Sequence, residues 1–270
     1  MFKPTAPESS IDSAALDVFA RHQAFFHILS DSSMIDTDAA QQAEFWSSGD
    51  RDLKELAEFG GLQAVSGTGV DFGCGIGRLT RALRLLTTHQ TGLDISAEML
   101  SRARDANREF PTMTFLQIQE VRWPIADRSC DLVISRLVFQ HLSSVDLMET
   151  ALTEMARILR KDGRAVFHIV TTTVLGAFAK AVKDRLRASG RAGEDARIAV
   201  LKEKLERAGA DAQLQFSEEE IQLMFLLDCR RMKSMPLGRL KRILRRTGMH
   251  IYRLSREPGG STTVAVVKSR

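Results

Sequence analysis

Val70-Asp71-Phe72-Gly73-Cys74-Gly75-Ile76-Gly77-Arg78 is the stretch that decides how this chain folds. Val70 to Phe72 reads as a short buried strand. Three glycines follow at alternate positions, and Arg78 to Leu86 then reads as a helix. Glycines after a strand let the backbone turn sharply and approach a ligand with no side chain between. The helix behind them offers unpaired N–H groups in its first turn. A second strand, Thr91 to Asp94, ends on an acid 23 residues beyond Asp71. A carboxylate there can receive both hydroxyls of a ribose. Strand, glycine loop, helix and spaced acid together indicate a nucleoside cofactor. The register differs from the dinucleotide fingerprint Gly-x-Gly-x-x-Gly, because Arg78 directly follows Gly77. A phosphate loop is excluded too, since no Gly-Lys-Ser/Thr follows.

Working outward, strand and helix continue to alternate. Ala97 to Ala106 is a helix, Thr114 to Gln119 a strand, and Asp131 to Ser135 a fourth strand. Ser144 to Leu159 is an amphipathic helix whose Leu147, Met148, Ala151, Leu152, Met155 and Leu159 are expected to face the core. Arg164 to Val170 is a fifth strand. This spacing predicts an α/β, doubly wound, mostly parallel sheet. Upstream, residues 13–30 read as a helix and 36–59 as one or two more, broken around Ser47-Ser48-Gly49-Asp50. Downstream, residues 171–235 leave the pattern. A charged, alanine-rich stretch precedes the apolar run Ile221 to Leu227. The segment is far longer than a usual βα connection, so it reads as a helical lid or a subunit contact. Leu237 to Arg246 then forms a helix, and Ile251 to Leu254 and Thr262 to Lys268 form terminal strands. The expected units are an N-terminal helical cap (1–60), a cofactor-binding core (61–170), the helical insert (171–235) and a closing helix and hairpin (236–270).

Composition narrows the class. With 270 residues, 44% hydrophobic and 27% charged, the chain can bury a large core unaided and is not of disordered type. No apolar run is long enough for a transmembrane helix, and the first ten residues lack the apolar stretch of a secretory signal. Cys74, Cys130 and Cys229 lie far apart, which fits neither a disulfide framework nor a zinc site and points to the cytoplasm. No His/Cys/Asp set has metal spacing. The net charge of +4 hides an asymmetry. Residues 1–70 hold 4 basic and 11 acidic side chains, whereas Arg230 to Arg256 holds 10 basic and none acidic. That cluster is either a solvated face or a seat for an anionic surface or substrate.

Four pieces in order then carry a resemblance. They are Val70 to Thr80; Gly92-Leu93-Asp94-Ile95-Ser96-Ala97-Glu98-Met99-Leu100; Trp123-Pro124-Ile125 with Cys130 to Val133; and Arg157 to Arg164. Over residues 65–170 and the terminal hairpin the chain resembles the class I S-adenosylmethionine-dependent methyltransferases. The resemblance implies a Rossmann-like, seven-stranded sheet and S-adenosyl-L-methionine as cofactor. It puts the Gly73 and Gly75 backbone against the methionine part, with Gly77 completing the motif and Asp71 near the amino group. Asp94 would bind the ribose hydroxyls and Ile95 would pack on adenine. At the end of the third strand Gln119 occupies the place where the family often has an acid, and Glu120 follows. Either contacts adenine or is exposed. Arg78 either reaches the cofactor carboxylate or lies on the helix surface.

Methyl transfer from a sulfonium is an in-line displacement, in which protein aligns the nucleophile and, where needed, removes a proton. Ser135 to Leu142 follows the fourth strand, and the resemblance makes it line the methyl-donor pocket. His141 is the candidate base there, or else it orients the acceptor or fixes the loop. Arg136 orients an anionic substrate or stabilises the loop. His168, in the fifth strand, reads as structural, as do His22 and His27. Phe25, Phe45 and Trp46 either roof the pocket or form a local core. The sequence lacks the Asn/Asp-Pro-Pro-Tyr segment that the resemblance ties to amino groups of bases or glutamine. A small-molecule or lipid-like acceptor is therefore the leading reading. A methyltransferase of RNA or protein using residues 230–256, and a non-catalytic interaction module, are the alternatives.

Overall fold

The structure, a computed structural model, describes residue 17 and residues 39–119, 121–172, 233–257 and 260–269. Helix α1 (Ala39–Gly60) precedes β1 (Val65–Phe72), α2 (Arg78–Ala82), β2 (Thr87–Asp94), α3 (Ala97–Ala106), β3 (Met113–Gln117) and β4 (Cys130–Ser135). A 3-10 turn (Phe139–His141) leads to α4 (Val145–Ile158) and β5 (Leu159–Thr172). After the insert come β6 (Met235–Pro236), α5 (Leu237–Arg246), β7 (Met249–Arg256) and β8 (Ser261–Lys268).

The strands line up as β3-β2-β1-β4-β5-β8-β7, with the two-residue β6 beside the end of β5. β8 alone runs against its neighbours, among the described residues. The sheet is thus doubly wound and mostly parallel, as the alternation predicts, with β6 an eighth strand beyond the seven expected. Strand order reverses between β1 and β4. In open α/β sheets a ligand crevice opens at that reversal, beyond the carboxyl ends of the strands.

Helices cover both faces, so the central strands are apolar on both sides. One face packs Phe72, Trp123, Phe139 and Phe167 against Met148, Leu152 and Ile243 of α4 and α5. The other packs Leu132 and Ile134 against Leu53 of α1 and Leu79 of α2. Leu56 of α1 also meets Val166 and Ala265. Serines start two helices: Ser96 Oγ accepts from Met99 N, and Ser144 Oγ from Leu147 N.

Several expected boundaries move. The break expected at Ser47–Asp50 is absent, and α1 runs unbroken for 22 residues. Ser48 Oγ donates to Phe45 O at 2.6 Å, and Gly49 lies so near α2 that a Cβ would come 2.7 Å from Arg78 O. Tertiary packing thus holds a helix through residues that locally favour breaking one. β1, β2 and β5 start earlier than expected because their edges pair with neighbours irrespective of polarity. Leu147, expected in the core, is 38% exposed. β3 ends at Gln117, not Gln119. The expected helix over 13–30, with His22, Phe25 and His27, lies outside the described residues apart from Asp17, as do Cys229, the helical character of 173–232 and Glu120.

Candidate active site

The glycine loop has the geometry its sequence requires. Gly73, Gly75 and Gly77 all take positive φ, at 77°, 53° and 88°. Side chains rarely adopt that backbone. Gly73 N and Cys74 N donate to Leu93 O, tying the loop to the end of β2. Gly73 also faces the loop after β4, since a Cβ there would overlap Val138 Cγ2 at 2.2 Å. Gly77 caps α2 and lies against Phe115 and Asn107. Its lack of a side chain lets the start of α2 pack closely there.

Asp94 stands at the end of β2 with its carboxylate inside the site. Oδ2 accepts Gly75 N at 2.8 Å and Oδ1 accepts Ser96 N at 3.0 Å. Burial raises its pKa, and the N–H groups of Ser96, Gly75 and Ile95 oppose that rise. Two carboxylate oxygens offer about four acceptor sites, so Asp94 can brace the loop and still accept a ribose hydroxyl. Nearby, Asp17 Oδ1 accepts from Ser96 Oγ at 2.5 Å and from Glu98 N at 3.3 Å. Residue 17 therefore lies at the start of α3, beside Asp94.

At the adenine side, Gln117 takes the strand-end position expected of Gln119. It pairs with Asp94 in the sheet, and its Nε2 donates to Ile95 O at 2.9 Å. Gln119 is exposed and donates to Gln117 Oε1 at 3.0 Å. Ile95 is half-buried. A hollow of about 480 Å³ lined by Gln117, Gln119, Trp123, Pro124 and Ile125 adjoins this end. Another hollow, of about 400 Å³, lies at the amino ends of the strands around Val65, Asp131 and Arg160. It is at the wrong edge of an α/β sheet for a cofactor.

Three expected ligand residues are committed elsewhere. Asp71 is buried and accepts Thr80 Oγ1 at 2.8 Å, and burial pushes its pKa up to about 7. Ser135 is buried and donates to Phe72 O at 2.9 Å, clamping β4 to β1 under the glycine loop. Arg78, placed by the sequence at the cofactor carboxylate or on the helix surface, is at neither. It is buried against α1, giving Nη2 to Asp52 Oδ2 at 2.6 Å and Nη1 to Ser48 Oγ at 2.9 Å. Asp52 and Ser48 were not among the sequence candidates. Their signal is the four-residue spacing that puts both on one face of α1.

On the acceptor side, Arg136 reaches Asp52 Oδ1 at 3.2 Å and Glu55 Oε2 at 3.3 Å. Asp52 therefore bridges the helix after the glycine loop and the loop after β4. His141 ends the 3-10 turn and keeps an open face, with Gln140 Nε2 3.4 Å from its Nε2. The protein around it disfavours the imidazolium and lowers its pKa. Phe45 and Trp46 meet edge to face at 5.1 Å, and Arg81 lies 4.1 Å over the Trp46 ring. They form a local core between α1 and α2, not a roof. The described cysteines, Cys74 and Cys130, are free and buried. No group of metal-ligating side chains occurs among the described residues.

Residues 70–167 match the family model described as a methyltransferase domain. A malonyl-[acyl-carrier protein] O-methyltransferase of Pectobacterium atrosepticum is 34% identical over 121 residues, 45% of this chain and 44% of the relative. A demethylmenaquinone methyltransferase of Tropheryma whipplei is 30% identical over 97 residues, 36% of this chain and 39% of the relative. The aligned segment thus spans about half or less of these relatives' length. Among solved structures, geranyl diphosphate C-methyltransferase from Streptomyces coelicolor, in complex with S-adenosyl-L-homocysteine, has a TM-score of 0.56 at 11% identity, over 99% of this chain and 100% of that one. The YcgJ protein of Bacillus subtilis gives 0.54 at 13% identity, over 82% and 99%. These two show the fold. Residues 70–167 thus resemble the methyltransferase domain of the class I S-adenosylmethionine-dependent methyltransferases, and the fold is one that such enzymes share. S-Adenosylmethionine is the cofactor of that class, and the left-handed glycine loop with Asp94 fits it.

Proposed function

We propose that this chain transfers a methyl group from S-adenosylmethionine to a small-molecule or lipid-like acceptor. The observation that carries the reading is the closed strand-loop unit of Gly73, Gly75 and Asp94, pressed by Val138 of the acceptor-side loop. The Gly73 and Gly75 backbone would receive the methionine part, Asp94 the ribose hydroxyls and Ile95 the adenine. Gln117 and Gln119 would edge the adenine, while Asp71, Ser135, Gly77 and Arg78 hold the site from below. When bound, the cofactor supplies an electrophilic methyl group. The protein aligns the acceptor and excludes water. Arg136 would face an anionic acceptor, and His141 would present a neutral imidazole near it.

The relatives support an acceptor of this kind, since their names give malonyl-[acyl-carrier protein] and demethylmenaquinone. A malonyl carboxylate needs no proton removed before attack, whereas a protic acceptor does. We read 1–60 as a cap, 61–170 with 236–270 as the cofactor-binding sheet, and 171–235 as an acceptor lid or homodimer contact. The free, buried Cys74 and Cys130 favour the cytoplasm. No helix among the described residues is long and apolar enough to cross a membrane. A second reading, an RNA or protein acceptor, draws on α5, whose Lys241, Arg242, Arg245 and Arg246 are all exposed.

Tritiated methyl transfer from S-adenosylmethionine into fractionated cell extract tests the reading. Label should enter a small-molecule or lipid fraction. Label in RNA or protein alone favours the second reading, and none in any fraction refutes both. By calorimetry, Asp94→Ala should weaken S-adenosylhomocysteine binding by roughly 1.5–3 kcal/mol, the scale of charged hydrogen bonds. An unchanged affinity would remove Asp94 from the cofactor site.

A further inference from the structure

Four buried side-chain atoms among the described residues have no hydrogen-bond partner: Arg78 Nε, Gln140 Oε1, Ser143 Oγ and His168 Nδ1. Buried polar atoms are nearly always paired, so each such exception calls for an explanation. All four belong to one end of the molecule. Arg78 follows the glycine loop after β1, and Gln140 and Ser143 follow β4. His168 lies in β5, and the register fixes its height. Asp71 pairs with Ile134 and Ser135 with Phe167. Two residues beyond Asp71 is Gly73, and one residue beyond Ser135 and Phe167 are Arg136 and His168. These three lie at one level across β1, β4 and β5. At about 4.8 Å per strand, His168 is about 10 Å from the glycine loop, with the β4 end between them.

The side of the sheet is fixed as well. Val166, two residues before His168, packs on Leu56 of α1, so His168 points to the same face. Arg136 bonds Asp52 and Glu55 of that same helix. Within the ring, Nε2 is held by Ser261 Oγ at 2.5 Å across the β5–β8 ladder. A neutral imidazole has one N–H and one lone pair. If Nε2 donates to Ser261, Nδ1 carries the lone pair. Burial and the charge of Arg136 both disfavour the imidazolium, against a weaker pull from Glu257.

We propose that His168 is an acceptor-binding residue of the methyl-transfer cleft: its Nδ1 lone pair accepts a hydrogen bond from a protic group, hydroxyl or amine, on the acceptor. The inference rests on the methyltransferase reading and adds the acceptor's chemistry to it. Ser261 is the positioning residue, setting the tautomer. The loop after β4 and the last residues of β5 form the acceptor's side of the crevice. The sequence places His168 within a strand, where a structural role is the natural reading. The orphaned Nδ1 and the common level with Gly73 and Arg136 are what the sequence does not display.

Two amide substitutions separate the roles. His168→Gln extends an amide toward Ser261 but leaves nothing at the Nδ1 position. His168→Asn keeps a hydrogen-bonding atom near Nδ1 and gives up Ser261. With tritiated S-adenosylmethionine and the methyl-accepting extract fraction, His168→Gln should raise KM for the fraction by about tenfold or more, the loss of one good hydrogen bond. His168→Asn should retain more activity, and both should bind S-adenosylhomocysteine as the parent does. A structural residue gives the reverse order, with Gln near normal and Asn impaired, and that order overturns the proposal. A second measurement needs no acceptor. Nitrogen-15 NMR of the histidine-labelled protein should show His168 Nδ1 unprotonated at pH 7.5, and Ser261→Ala should redistribute its tautomers. A protonated Nδ1 in the parent overturns the proposal. Absence of any methyl-accepting fraction counts against the methyltransferase reading, while the NMR result still decides the tautomer.

Discussion

Asp71 is enclosed beneath the glycine loop, and Thr80 Oγ1 is its side-chain donor. Desolvation dominates there, ahead of the opposing Thr80 bond and Arg78 charge, and the pKa rises from 3.8 to about 7. The folded state therefore holds a proton that the unfolded chain releases near pH 4. Stability from this group is complete below the unfolded pKa and is lost as pH rises toward 7. At about 1.4 kcal/mol per pKa unit the loss is of the order of 4 kcal/mol. Carboxylates held low, such as Asp127 beside Arg157, act in the opposite direction, so a difference measurement is needed. Asp71→Asn keeps the shape and removes the titration. Urea unfolding at pH 5 and pH 7.5 should show the variant gaining on the parent at the higher pH. Equal differences at both would mean that Asp71 does not titrate in this window. Such detail is only half legible in sequence. The place of Asp71 in the motif is plain, but its inward turn depends on Thr80, nine residues on. Likewise Arg78 is visible as a basic residue at a cofactor loop, and only docking of α1 shows that Asp52 claims it.

Among the elements, α1 shows where local preference yields to packing. Ser47, Ser48 and Gly49 weaken a helix, and the sequence accordingly suggests a break. In the fold, Gly49 gives α2 room to approach, Ser48 holds Arg78 Nη1, and Asp52 holds both Arg78 and Arg136. Glycine to alanine inside a helix normally gains about 1 kcal/mol. At Gly49 the added methyl would come 2.7 Å from Arg78 O and 3.0 Å from its Cγ. The nearest of these atoms belongs to the backbone, so the helices must part, and overpacking of that kind costs about 1–3 kcal/mol. Gly49→Ala should therefore lower the melting temperature, and it should weaken S-adenosylhomocysteine binding by disturbing the helix behind the loop. A raised melting temperature would show that α1 can shift freely. By contrast, β4 and α4 lie close to where their residues imply, because their buried apolar positions leave little choice, whereas β1 begins at Val65, five residues before the expected Val70. The end of β3 is less constrained. Gln117, Ile118 and Gln119 alternate without a clear edge, and pairing of Gln117 with Asp94 decides it.

For the molecule as a whole, the charge asymmetry resolves into one neutralised contact and one open face. Acids of α1 meet bases of the sheet domain: Asp50 with Arg84, Asp52 with Arg78 and Arg136, and Glu55 with Arg136. On α5, Arg239 bonds Asp146 and Glu149 of α4, while Lys241, Arg242, Arg245 and Arg246 are exposed with no ion pair among the described residues. Part of that excess serves the helix itself. Arg245 and Arg246 occupy its last turn, where a cation contributes about 0.3–1 kcal/mol against the helix dipole. Replacing all four with Gln should therefore cost about 1–2 kcal/mol in unfolding free energy. For a small or lipid-like acceptor, transfer to the labelled fraction should stay within about twofold of the parent, because the four lie along α5 and not on the glycine loop or the β4 loop. For an RNA acceptor, binding measured between 50 and 200 mM salt should lose about 0.7–0.9 of log–log slope per phosphate contact removed. Turnover that collapses together with that slope would transfer the acceptor site to α5, and turnover that survives leaves it over β4 and β5, where Gln140 Oε1, Ser143 Oγ and His168 Nδ1 are orphaned.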